Sequence, residues 1–108
     1  MGPDGMPLDY GRSLRLVPPH VRRAGEVRDG GCVFAGCGAP TFWCDVHHLL
    51  AWINGGETNL DNSALLCERH HTKGHHGFRL ERQPDGRWRT WRPHGTEILT
   101  GPRLDAAA

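Results

Sequence analysis

The sequence predicts a small α+β domain supported by bound zinc: a flanking helix, a strand–loop–strand–helix unit, and a C-terminal β-hairpin. Three observations carry this reading. The chain has 108 residues, 37% of them hydrophobic, which allows one domain with a thin core against roughly 1.5 kcal/mol of conformational entropy per ordered residue. Its 15 Gly and 8 Pro punctuate structure rather than pack it. Its 4 Cys and 8 His are clustered, and six of the histidines fall between His47 and His76. A large α/β enzyme, a long bundle and a solenoid are excluded.

The elements follow in order. Residues 1–17 are rich in Gly, Pro and Asp and read as an extended tether. Pro18-Pro19 suits a helix start, so a helix is expected over His20 to Arg28, stopped by Gly30-Gly31. Cys32-Val33-Phe34-Ala35-Gly36-Cys37-Gly38 places two thiols around a short turn. Thr41 to His48 is β-branched and aromatic enough for a strand, with Phe42, Cys44 and Val46 alternating. Asn54-Gly55-Gly56 is turn chemistry within a loop running to Asn62, and Ser63 to Cys67 is a short second strand. Glu68 to His76 fits a helix of about two turns with Gly77 as its C′ residue. Phe78 to Arg82 and Arg87 to Arg92 flank Gln83-Pro84-Asp85-Gly86 as a closing hairpin. The domain therefore spans 18–95; the chain frays from 93 onward, with a flexible tail over 96–108.

The longest apolar runs, such as Ala64-Leu65-Leu66-Cys67, fall far short of the ~20 residues that span a bilayer. The first residues lack the basic and apolar regions of a signal peptide. A soluble, cytoplasmic protein with no membrane partner is expected, and in a reducing compartment clustered Cys and His point to metal ligation rather than disulfides. The net charge is only +1, yet Arg12 to Arg28 holds five Arg and one Glu, and Arg79 to Arg92 holds five Arg against Glu81 and Asp85. Arginine's planar fork suits phosphate oxygens, although ordinary solvated faces explain such clusters equally well.

Cys32-x4-Cys37 and Cys67-x2-His70 form two ligand pairs with 29 residues between them. Three thiolates and one imidazole make a tetrahedral shell that Zn²⁺ accepts. Such binding is folding energy, about 10–16 kcal/mol in finger-sized peptides, the right scale to support a thin core. The ~12-residue spacer of a two-Cys two-His DNA finger is absent. Buried free thiols are the plain alternative, and the paired spacing speaks against it. Cys44 either packs as a small apolar residue or displaces His70 as fourth ligand.

More histidine remains than a zinc knuckle needs. His71 and His75 stand at i, i+4 on the predicted helix, and the side chains of His47-His48 point to opposite sides of a strand. His47, His71 and His75 would give a three-imidazole shell with open positions, suited to a transition metal rather than to Mg²⁺. His48 is then available as a base, with an ordinary pKa near ~6.5. Any one of these His pairs could simply be solvated; the case rests on five histidines beside a second metal site.

The run Cys44-Asp45-Val46-His47-His48-Leu49-Leu50, then Gly55-Gly56, Leu60-Asp61-Asn62 and Leu65-Leu66-Cys67-Glu68-Arg69-His70-His71 resembles an HNH endonuclease motif. The similarity extends over about residues 8–95 and is closest to bacterial HNH proteins that carry this module after a long helical region. It implies a treble-clef-like ββα-metal domain hydrolysing DNA phosphodiesters to a 5′-phosphate and a 3′-hydroxyl. It also implies roles: His48 as general base, Asn62 pinning the loop and orienting that base, and His47, His71 and His75 as ligands of one catalytic divalent metal (Mg, Mn, Ni or Zn). Lys73, Arg87, Arg89 and Arg92 are candidate phosphate contacts. Three features depart from the pattern. Gly74 stands inside the helix where an apolar residue is expected, at a cost of about 1 kcal/mol relative to Ala. Only Gly77 separates His76 from Phe78, where relatives have two glycines, and the chain starts where relatives leave their helical region. The rival reading is a zinc module that binds nucleic acid or protein without cutting, an inactive relic of the same fold. It has no need of His48 and Asn62 at these positions. A zinc redox or storage protein would use thiols rather than imidazoles.

Overall fold

Pro18 lies in extended backbone and Pro19 opens α1 (Pro19–Asp29), which ends at Gly30 in the left-handed region. Strand β1 (Cys44–His48) pairs antiparallel with β2 (Ser63–Cys67), in a register that sets Cys44 opposite Cys67 and His48 opposite Ser63. Helix α2 (Glu68–His75) follows β2 directly and packs on both strands. A second antiparallel pair, β3 (Arg79–Arg82) and β4 (Trp88–Trp91), closes the domain. This computed structural model describes residues 6–100, apart from the side chain of His75.

The core is small. Leu65 and Leu66 of β2 are fully buried, joined by Cys32, Phe34, Cys44 and Leu80. Asp29 ties three elements to it: its buried carboxylate accepts from Arg28, the Leu65 N–H and Trp88 Nε1. Arg28 in turn donates to the carbonyls of Leu60 and Ser63. No described helix is long and apolar enough to cross a membrane.

The structure corrects the expected layout at the start of β1 and adds contacts near both ends of the described residues. Thr41–Trp43 is a 3₁₀ turn rather than the start of a strand, and Phe42 is 75% exposed instead of alternating with Cys44. The cause is tertiary: Arg22 donates to the carbonyls of Thr41 and Cys44 and holds the turn shut. The N-terminal tether is docked along the loop before β2. Tyr10 and Leu60 N–H donate to the Thr58 and Leu8 carbonyls, and Thr58 N–H donates to Gly11. Arg12 donates to the carbonyls of Trp52 and Gly56, with its guanidinium 3.9 Å from the centre of the Trp52 ring. Residues 96–98 also make contacts with β4. Ile98 N–H donates to the Thr90 carbonyl, Glu97 bridges to Trp91, and Ile98 packs against the core. Residues 1–5 of the tether and 101–108 of the tail lie outside the described residues.

Candidate metal centres and active site

The β1–β2 pair has a sulfur-rich end and an imidazole-rich end. At the first, Cys67 closes β2 and caps α2, His70 sits in the first turn of that helix, and the Cys32–Cys37 turn faces both. The four ligand atoms lie within 4.8 Å of one another. Cys32 Sγ is 3.5 Å and Cys67 Sγ 3.3 Å from His70 Nδ1, and Cys37 Sγ is 3.9 Å from Cys67 Sγ. A tetrahedron on Zn–S bonds of about 2.3 Å and a Zn–N bond of about 2.1 Å has edges of about 3.5–3.8 Å, so this donor set fits the ion. Phe34 stacks on the His70 ring, with centroids 4.0 Å apart and planes at 3°, and thereby orients the ligand.

Burial pushes the Cys32 thiol up to about 12. Burial also raises Cys67, but hydrogen bonds from the His70 backbone, the neighbouring thiols and Arg69 N–H outweigh it and leave that thiol below its ordinary value. Cys44 stands outside the four. It is buried, its thiol donates to the carbonyls of Pro40 and Ala39, and burial pushes it to about 11. Among the described residues, then, it is His70 that completes the cluster.

At the other end of β1, His47 is 6% exposed and lies beneath α2. Its ring meets that of His71 edge-on at 5.3 Å, and His71 Nδ1 is 3.9 Å from the Asp45 carboxylate. The adjacent histidines His70 and His71 thus serve different clusters from one helix. Gly74 explains itself here. A Cβ at that position would come within 2.9 Å of His47 Cε1 and 3.0 Å of its Nε2. The missing apolar side chain is the space that the imidazole fills. His75 stands on α2 one turn beyond His71, and its side chain lies outside the described residues.

His48, half-buried on the opposite side of β1, has its Nε2 3.1 Å from Thr58 Oγ1. Burial and then the charge of Arg15 lower its pKa, which favours the neutral ring. Asn62 fastens the loop between the strands: its Oδ1 accepts from Leu50 N–H, and its Nδ2 donates to the Leu50 and Glu57 carbonyls. The hydrogen-bond partner of the His48 ring is Thr58, a residue that sequence reasoning missed. A threonine in a polar loop carries no spacing signal.

The basic residues divide. Arg89 is held by Glu97 in a two-pronged pair at 2.8 and 2.7 Å. The Lys73 ammonium sits over Phe34 and Phe78 at 5.5 and 5.3 Å. Arg87 is exposed, 3.9 Å from Asp85, and Arg92 is exposed.

Residues 32–77 match the family model for HNH endonucleases. Among curated proteins, the uncharacterized protein Rv1128c of Mycobacterium tuberculosis is 29% identical over 91% of this chain and 21% of its own length. Rv3776 of the same species is 34% identical over 78% of this chain and 18% of itself, and Mb1179c of Mycobacterium bovis is 28% identical over 92% and 20%. The chain spans about a fifth of the length of these relatives. No solved structure matches it at a significant level. The sulfur–imidazole cluster at one end of the antiparallel pair and the two histidines that meet at the other both fall within residues 32–77, the segment that matches the HNH endonuclease family model.

Proposed function

We propose that this domain is a metal-dependent endonuclease that hydrolyses DNA phosphodiester bonds to a 5′-phosphate and a 3′-hydroxyl. The observation that supports it most is the division of β1: His47 turns under α2 to meet His71, while His48 turns away to a separate hydrogen bond. Neighbouring imidazoles on one strand are thereby free for two tasks. His47 and His71, with His75 from the next turn, would hold a divalent ion, and a set of imidazoles favours a transition metal. That ion, when bound, supplies Lewis-acid stabilisation of charge on the phosphate and the leaving oxygen. His48, neutral near pH 7, takes the proton from water. Asn62 keeps the intervening loop, and with it the end of β1, in place. Cys32, Cys37, Cys67 and His70 hold a structural zinc in a cluster separate from the His47–His71 pair. Lys73, Arg87 and Arg92 offer charge to neighbouring phosphates, and Arg89 does so only by giving up Glu97.

Cysteines grouped for metal ligation rather than paired as disulfides suit a reducing compartment, so we place the protein in the cytoplasm. In the longer relatives we expect the module to follow a helical region. The test is plasmid nicking across Mg²⁺, Mn²⁺, Ni²⁺ and Zn²⁺. His48→Ala should lose about 10²–10⁴-fold in rate, with zinc content and DNA binding intact, and excess metal should not rescue it. His47→Ala and His71→Ala should be partly rescued by excess metal. A wild type that binds DNA but cuts with no metal would make this a binding module instead.

A further inference from the structure

We propose that Thr58 is a positioning residue for His48, setting which ring nitrogen is free to take a proton; this rests on the nuclease reading of His48. Thr58 is 0% exposed, and a hydroxyl buried that deeply must have its hydrogen bonds made within the protein. It makes two contacts. Its Oγ1 lies 3.3 Å from the Arg15 carbonyl oxygen and 3.1 Å from His48 Nε2. A hydroxyl carries one proton and two lone pairs. The Arg15 carbonyl can only accept, so the Thr58 proton goes there. Thr58 Oγ1 must then accept from His48, and Nε2 must be the donor. A neutral His48 consequently carries its lone pair on Nδ1.

The N-terminal segment makes this arrangement rigid. Tyr10 N–H donates to the Thr58 carbonyl and Thr58 N–H to the Gly11 carbonyl, so the residue is gripped through its backbone by the segment that also supplies the Arg15 acceptor. Arg12 clamps the same loop at Trp52 and Gly56. Residues 10–15 therefore belong to the working site, although they lie outside the segment that matches the family model.

The experiment has two arms on the full, zinc-loaded chain. Long-range nitrogen–proton correlation spectra, recorded where the ring is neutral, should show His48 protonated at Nε2. A wild type protonated at Nδ1 overturns the proposal. This arm needs no DNA and reads the geometry even if the chain is not a nuclease: an Nε2–H ring in an inactive wild type removes the nuclease reading and leaves the hydrogen-bond assignment standing. In the second arm, Thr58→Val keeps the shape and removes the hydroxyl. It should cut plasmid roughly 10–100-fold more slowly, with KM and zinc content unchanged, and Thr58→Ser should restore most of the rate. A Thr58→Val enzyme as fast as wild type overturns the proposal, and so does a Thr58→Ser enzyme as slow as Thr58→Val.

Discussion

Replacing Gly74 with alanine sets two effects of similar size against each other. Inside a helix, alanine is favoured over glycine by about 1 kcal/mol. The added Cβ, however, would stand 2.9, 3.0 and 3.4 Å from three atoms of the buried His47 ring. Ordinary carbon contacts lie at about 3.5–4.0 Å, so the ring must retreat by roughly 0.5–1 Å, and overpacking of this kind costs about 1–3 kcal/mol. The net loss of stability is about 0–2 kcal/mol, and the domain should stay folded. Metal ligation is far less forgiving, with distances held to about 0.2 Å. Gly74→Ala should therefore lose affinity for a divalent ion at His47 and His71 by more than about tenfold. Gly25 in α1 is the matched control, since a Cβ there would meet only Leu60 Cδ1 at 4.0 Å. Gly25→Ala should gain about 0.5–1 kcal/mol and leave metal binding alone. The assay is urea unfolding beside calorimetric titration of Ni²⁺ or Mn²⁺ into protein whose structural zinc is already bound. A folded Gly74→Ala variant that binds the second metal as wild type does would refute the assignment of His47 as its ligand.

Three further outcomes are expected. Elemental analysis should find one tightly held zinc per chain; a strong chelator, Cys32→Ser or Cys67→Ser should abolish the cooperative thermal transition, whereas Cys44→Ser should keep the zinc, and a transition indifferent to chelation would contradict the structural site. Asp29→Ala should cost about 3–5 kcal/mol in urea unfolding, because it leaves Arg28 buried beside the core without its carboxylate; a loss under about 1 kcal/mol would mean that the Arg28–Asp29 hub is not holding α1 to β2. Neutralising Arg87 and Arg92 should flatten the salt dependence of duplex binding by roughly 0.9 per lost phosphate contact, while Arg89→Gln, already committed to Glu97, should change it little; equal effects from all three would show that the Glu97 pair opens on DNA.

How far the residues announced the structure depended on where the deciding contact lay. Punctuation is local, so Pro18-Pro19, Gly30 and Gly77 marked their helices correctly. Ligand spacing is local too, because one turn of backbone presents each pair, and Cys32, Cys37, Cys67 and His70 converge as their spacing implied. Thr41–Trp43 misled because its composition is that of a strand, while the Arg22 guanidinium that closes it as a turn arrives from another element. The contacts of residues 8–11 and 96–98 were not legible for a related reason: they are backbone hydrogen bonds to loops and strands, which leave no hydrophobic periodicity to read. Thr58 is the same problem in a single side chain, since a hydroxyl means nothing until the groups on either side of it are known. Gly74 is different. Its cost of about 1 kcal/mol was visible in the sequence as a helix weakened for no local gain. Local rules tend to break where function demands something else. Here the demand is room for a buried imidazole, so the unfavourable glycine and the His47 it accommodates are one feature seen from two elements.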